Sequence, residues 1–334
     1  MYFLVRTYLL LALILLSCGG NRGPTILNVS YDPTRELYRD YATLFDNHWK
    51  TKTGQSISIN QSHGGSGKQA RSVIEGLEAD VVTLALAYDI DSIARHGLID
   101  SKWRTRLPGN SAPYTSTIVF LVRAKNQKKI LQWADLIRPD VSIIAPNPKT
   151  SGAARWAYMA AWGQEYLRSK DKAKSEAFVK QMYANVPILD SGARASLTTF
   201  VERGMGDVLL AWENEAFLAL KEEPNAFEIV YPSISILAEP PVALVDKNVD
   251  RNQHRAIAEE YLTYLYSDEA QNLIAKHYYR PYNSKILAKH AATFKSIQLF
   301  RLEEVSESWD EAQKLHFDSN GIFDRIMKEN RKPR

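Results

Sequence analysis

Short apolar runs alternate with longer stretches in which apolar residues recur every three or four positions. Residues 26–30 read as a strand, and 33 to about 49 as a helix with Leu37, Tyr41, Leu44 and Phe45 along one face. Residues 56–60 predict a strand, 68–77 a helix, and 80–85 a strand again. A β-α-β-α order of this kind predicts parallel sheet with helices on both faces. The run 117–123 is β-type and leads into a polar Lys/Asn/Gln stretch. A second α/β block follows, with strands at 141–145, 187–189 and 207–211 and helices at 152–168, 174–183 and 197–204. Residues 235–245 hold Pro240-Pro241 between two apolar stretches, which suits a strand crossing between two units. A helix at about 254–266 returns, and the C-terminal region reads as helical.

Four segments share one grammar, a Gly, Ser or Asn/Asp cluster that follows an apolar run and opens a helix. They are NVSYDPT (28–34), QSHGGSGKQ (61–69), NPKTSGAARW (147–156) and DSGAR (190–194). The first N–H groups of a helix lack partners and carry partial positive charge, so each helix start is a ready anion site. One such loop is commonplace, whereas four suggest convergence on a single anion. Asp32-Pro33 places an N-cap residue before a proline suited to the first helical turn. Ser66 lies among glycines that let backbone approach a ligand closely. Ser151-Gly152-Ala153 repeats this arrangement, Ala193 opens another helix, and Trp212 offers an indole N–H, a donor with no acceptor character.

Charge and cysteine content narrow the choices. Length of 334 residues, 45% hydrophobic and 24% charged, allows two globular domains and argues against disorder. A net charge of +4 with no basic cluster before the tail excludes nucleic acid as a partner and leaves anion selectivity to a local site. The apolar run 8–16, after Arg6, is too short for a permanent membrane span but fits a signal-peptide core. Leu15-Leu16-Ser17-Cys18 resembles a bacterial lipobox, in which Cys18 becomes the lipid-modified first residue. The expected organisation is therefore a signal peptide, 1–17, and a lipidated tether, 18–25, before the globular body. Cys18 is the single cysteine, so the body has none for disulfides or thiol catalysis. His63 has no neighbouring His, Cys or Asp at metal-ligand spacing, so no metal and no cofactor is expected.

The strings NVSYDPTREL, QSHGGSGKQA, APYTSTIVFLVR, SGARAS and GDVLLAWENEA resemble the prokaryotic sulfate/thiosulfate-binding proteins that serve ABC importers, here in lipoprotein form. The resemblance runs from about Leu27 to about Asp324. It implies the two-lobed periplasmic binding protein fold (type II), with the ligand cleft between two α/β lobes joined by a two-strand hinge. Lobe I would be discontinuous, 26–118 and 240–332, and lobe II would be 119–239. It further implies a non-enzymatic monomer in the periplasm or on the outer face of the cell membrane, with a permease and an ATPase as partners and the bilayer held through Cys18. The sulfate contacts it implies are Asp32, through its backbone N–H, and Ser66 from lobe I, with Ser151, Gly152, Ala153, Ala193 and Trp212 from lobe II. One departure stands out: the family usually has Gly-Gly where this chain has Gly152-Ala153, so Ala153 brings an added Cβ.

Other readings compete. Lys68, Arg155 and Arg194 sit in the first turns of helices, where a cation opposes the dipole, which favours supporting roles over direct contact. Gly65–Ala70 fits G-x-G-x-x-A with Asp89 or Asp91 about 20 residues on, the pattern of a dinucleotide site in an enzyme. Export opposes that reading. A hydrolase built on Ser191 or Ser66 with His63 lacks G-x-S-x-G and a third member. The nearer alternative is another tetrahedral oxyanion, such as molybdate or phosphate.

Overall fold

The computed structural model describes residues 23–331, so the expected signal peptide, Cys18 and most of the tether lie outside the described residues. Among the described residues no helix is long and apolar enough to cross a membrane. The chain builds two sheets flanked by helices, one for each lobe. The first uses β1 (Thr25–Tyr31), β2 (Ser58–Gly64), β3 (Val81–Thr83) and β10 (Val242–Leu244) in the order β10-β3-β1-β2. β1 runs parallel to β2 and β3, while β10 closes the edge antiparallel to β3. The parallel pairs are bridged by helices, Arg35–Thr53 and Ser66–Ile74, as parallel connections require.

The first of these helices shows how sequence sets its limits. Leu37, Tyr38, Tyr41 and Phe45 recur at helical spacing and are buried, and Lys50 and Lys52 occupy the last turn, where cations are favourable. Gly54 ends it at φ 78°, a left-handed conformation that costs glycine no Cβ clash, and its N–H donates to Lys50 O at 2.8 Å. β2 starts later and runs further than the expected 56–60. Its seven residues pair in register with β1, from Thr25 opposite Ser58 to Tyr31 opposite Gly64, drawing His63 into the sheet.

The second sheet uses β4 (Tyr114–Arg123), β5 (Ile143–Pro146), β6 (Leu189–Asp190), β7 (Val208–Trp212), β8 (Phe227–Val230), β9 (Ile234–Ala238), β11 (Arg280–Pro281) and β12 (Gln298–Phe300). Its order is β12-β9-β4-β7-β5-β6, with β8 and β11 also on β4. The helix Gly152–Ser169 is buried on all sides over its first twelve residues, Gly152 to Gly163, and forms the spine of the second lobe. Small residues allow this: seven of those twelve are Gly or Ala, so neighbouring elements approach closely. Gly163 lies under Phe300, where an added Cβ would come within 2.4 Å of the ring.

The chain passes between the lobes along β4 and again from β9 to β10. These two strands are hydrogen-bonded neighbours, Ser116 opposite Ala238 and Thr117 opposite Leu237. The expected single strand 235–245 is thus two, broken at Pro240-Pro241, because proline has no N–H for a ladder. A third passage follows β11. β12 adds to β9, and the C-terminal helix Ile322–Asn330 packs on the helix Lys172–Ala184. Part of the stretch 240–332 assigned above to lobe I is therefore attached to second-lobe elements. Ring contacts decide this: Trp309 packs on Trp156, Phe317 on Tyr158 and Phe323 on Tyr183, with ring centroids 4.6, 5.0 and 5.2 Å apart.

Candidate functional site

The segments singled out in the sequence meet in one cleft between the lobes. Two helices expected to start later begin at the motif residues themselves, Ser66–Ile74 behind Gly65 and Ala193–Val201 behind Gly192. Asp32 opens a short 3-10 turn with Pro33 in its first positions. Ser151 caps the helix Gly152–Ser169, its Oγ accepting from Ala154 N at 3.3 Å. Tyr31, Asp32, Pro33, Gly64, Gly65, Ser66, Ser151, Ala153 and Ala193 line a narrow space between the lobes. Of the seven expected residues, five are in that lining. Gly152 lies directly behind it against Ser66, Ala85 and Leu86 of the first lobe. Trp212 sits at its edge, its ring centroid 5.5 Å from that of Tyr31 and its Nε1–H donating to Ala153 O at 3.3 Å. That bond is long for an N–H···O pair, whose usual distance is about 2.9–3.0 Å.

Donor roles can be read from the hydrogen bonds. The Ser66 hydroxyl donates to Asp89 Oδ2 and accepts from Ala85 N at 3.0 Å. Its proton is thus committed, which leaves the backbone N–H, in the first turn of the helix, as the donor Ser66 can offer. Ser151 accepts from Ala154 and keeps its hydroxyl proton for a partner. Asp32 is the one carboxylate among the lining residues, and its Oδ1 accepts from Arg35 Nη2 at 3.0 Å. Its Oδ2 lies beside Gly192, where a Cβ would come within 2.7 Å.

The charged groups nearby are paired with protein rather than directed into the cleft. Asp89, 2% exposed, lies between Ser66 and Arg155, whose Nη1 is 3.5 Å from Asp89 Oδ1 and whose Nε donates to Pro148 O at 2.9 Å. Burial pushes the Asp89 carboxyl up, against the guanidinium of Arg155 and the Ser66 hydroxyl, which pull it down. Arg194 forms a two-pronged pair with Glu36 of the first lobe, 2.9 Å at each prong, and also holds Glu215 of the second. Burial opposes the Arg194 charge, but hydrogen bonds to the two carboxylates raise its pKa above the usual arginine range. Burial pushes His63 down to about 4, and Arg35 and Arg194 act in the same direction. His63 is neutral across physiological pH.

The lobes meet at glycines. A Cβ on Gly65 would come within 2.5 Å of Thr150 O, and one on Gly152 within 2.9 Å of the Cβ atoms of both Ala85 and Ser66. Neither glycine has positive φ, so space and not backbone conformation requires them. Trp156 Nε1–H donates to Ala85 O at 2.8 Å and Asn214 Nδ2–H to Pro33 O at 3.1 Å, both across the cleft. The dinucleotide pattern at 65–70 finds no support here: Gly65 is covered by the second lobe and Asp89 is occupied by Ser66 and Arg155.

Sequence reasoning missed Tyr31, the acid–base partners of Arg194, and the crossing donors Asn214 and Trp156. The GDVLLAWENEA string contained Asn214 and Glu215, and the spacing of Glu36 from Pro33 put it one turn above the cleft. Their partners are far away in sequence, so no local signal could pair them.

Residues 26–280 match the family model described as bacterial extracellular solute-binding protein. The chain is 59% identical over 305 residues to the sulfate-binding protein of Salmonella typhimurium, covering 91% of this chain and 93% of that one. It is 47% identical over 324 residues to the thiosulfate-binding protein of Pseudomonas aeruginosa, covering 96% and 98%. Among solved structures it is similar to the sulfate-binding protein SubI of Mycobacterium tuberculosis, with a TM-score of 0.80 and 26% identity over 89% of this chain and 100% of that one.

Proposed function

The chain belongs to the bacterial extracellular solute-binding proteins, and we propose that it closes its two lobes on sulfate and delivers the anion to an ABC importer. The observation that carries this reading is the convergence of helix starts from both lobes on one small cleft whose lining offers donors and no free charge. Sulfate is a dianion at physiological pH with acceptor oxygens only. Asp32 and Ser66 from one lobe, and Ser151, Gly152, Ala153, Ala193 and Trp212 from the other, are its proposed ligands. They supply backbone N–H, hydroxyl and indole donors that do not titrate.

Each hydrogen bond to an ion is worth roughly 1.5–3 kcal/mol, so seven give about 10–20 kcal/mol gross. Micromolar binding needs only about −8 kcal/mol net, which leaves room for desolvation and closure. Full countercharge is unnecessary where dipoles surround the ion. The one lining carboxylate turns an oxygen to Arg35. Phosphate, which keeps a proton at neutral pH, would need an acceptor for it, and Asp32 sets its Oδ1 on Arg35 and its Oδ2 beside Gly192. Thiosulfate is the second reading, favoured by the 47% identical relative of that name. In this reading Cys18 carries the lipid anchor, the protein is a monomer outside the cytoplasm, and closure occurs about the paired β4 and β9.

Calorimetric titration of delipidated protein with sulfate, thiosulfate, molybdate and phosphate tests the reading. Sulfate or thiosulfate should bind tightest and phosphate weakest. Preference for phosphate or molybdate would overturn it.

A further inference from the structure

We infer that the C-terminal turn 317–324 is a brace that holds the loop 147–152 in its anion-binding shape, with Lys149 as the positioning residue. This rests on the proposed role of Ser151, Gly152 and Ala153 at the cleft. The turn lies beyond the family-model match, which ends at residue 280. Lys149 Nζ donates to Phe317 O at 2.8 Å, to Asp318 O at 3.3 Å and to Asp324 Oδ2 at 2.9 Å, with Asp324 Oδ1 also at 2.9 Å. An ammonium has three protons, and oxygens of this one turn account for all of them, so the side chain has none left for the cleft. The turn is itself tied: Asp324 Oδ2 accepts from Asn320 N at 2.9 Å, and Asp318 Oδ1 from Gln313 Nε2 at 2.8 Å.

The same turn reaches the loop a second time. The Phe317 ring lies 5.7 Å from the Arg155 guanidinium carbon, and Arg155 Nε donates to Pro148 O at 2.9 Å. Within the loop, Lys149 N donates to Asn147 Oδ1 and Ser151 N to Asn147 O, both at 2.9 Å. Thr150 Oγ1 donates to Ser191 O at 2.9 Å, linking the loop to the segment that precedes Ala193. Fixing Lys149 therefore fixes the direction in which the helix start behind Ser151 presents its N–H groups. Such preorganisation governs affinity without touching the ligand.

Asp324→Asn separates positioning from electrostatic field, because the two predict opposite signs. Deleting a negative charge near an anion site leaves sulfate affinity equal or higher if only the field matters. A lost brace makes it weaker, by about three- to tenfold on the scale of such indirect couplings. Lys149→Met should weaken sulfate binding by about tenfold on the same scale. In both variants the ligand-free amides of 147–154 should exchange hydrogen faster. Arg325→Gln, which cuts the Arg325–Glu176 pair of the same C-terminal region at 3.1 Å, is the control. It should lower melting temperature at most and leave exchange of the loop and affinity unchanged. Unchanged loop exchange in Asp324→Asn and Lys149→Met overturns the brace, as does faster exchange with unaltered sulfate affinity. Failure of the wild type to bind sulfate would sink the functional reading alone, since the exchange comparison decides the brace without ligand.

Discussion

Replacing Gly152 by Ala keeps the backbone N–H proposed to face the anion and adds only a methyl group. The site of that methyl is set by two lobes at once, 2.9 Å from the Cβ atoms of Ala85 and Ser66 and 3.2 Å from Leu86 Cγ. Carbon atoms prefer separations of about 3.5–4.0 Å, so the lobes must part locally by roughly 0.6–1 Å. Neither Ala85 nor Ser66 can swing its Cβ aside, because a Cβ moves only with its backbone. Overpacking of this size costs about 1–3 kcal/mol. The cost falls on the closed state alone, since an open cleft separates the three residues from Gly152. Affinity should therefore drop about 5- to 150-fold at about 1.4 kcal/mol per factor of ten. The ligand-free protein should melt at the wild-type temperature or slightly higher, because alanine is the better helix residue. Calorimetric titration with sulfate and melting with and without it provide both readings. Unchanged affinity would refute the reasoning, since it would mean that the liganded lobes never approach as closely as they do here.

Trp212→Phe keeps the ring against Tyr31 and deletes one donor, so sulfate affinity should fall about 10- to 150-fold, the value of roughly 1.5–3 kcal/mol for a bond to an ion; a loss of stability with full affinity would make Trp212 a core residue only. Sulfate affinity should be flat from pH 5 to 8. His63, held down to about 4 by burial, gains its proton only below that range, where affinity should rise as pH falls. A tenfold loss per pH unit above 6.5 would instead require a protonated histidine at the anion. Cys18→Ser should abolish lipid labelling and release the protein to the soluble fraction with sulfate binding intact, and a mature N-terminus at any other residue removes the anchor.

The alternation of strand and helix was legible because local periodicity carries it, and the four helix-opening clusters pointed to the cleft because N-cap chemistry is also local. Limits of elements were less legible. β2 extends through His63 because of seven pairings with β1, a property of two strands and not of one. The attachment of 298–330 to the second lobe was equally hidden. Its apolar residues announce burial but not the surface that buries them, and the pairing of β12 with β9 joins segments far apart in sequence. At the site, glycine identity signalled close approach, while the crossing partner of Arg194 and the hydrogen-bond partners of Ser66 came only with the fold. Gly152-Ala153 was legible only as a departure. The structure accommodates the extra Cβ of Ala153 in the lining, while the glycine before it meets the opposite lobe.

Because β4 and β9 are bonded to each other where they cross between the lobes, the joint behaves as a leaf spring more than as a loose pin. Separate linkers would let each lobe twist, slide and swing through independent torsions. A hydrogen-bonded ribbon resists shear and twist and yields chiefly to bending across its width. In the proposed closure the third passage leaves from β11, which is itself paired with β4, so opening is guided mainly by this one ribbon. Mechanical compliance of this kind lowers the search that each capture event requires. It also makes the amplitude of opening a property of the ribbon, to be altered by changes at Ser116, Thr117, Leu237 or Ala238 and not by changes in the loops that hold the anion.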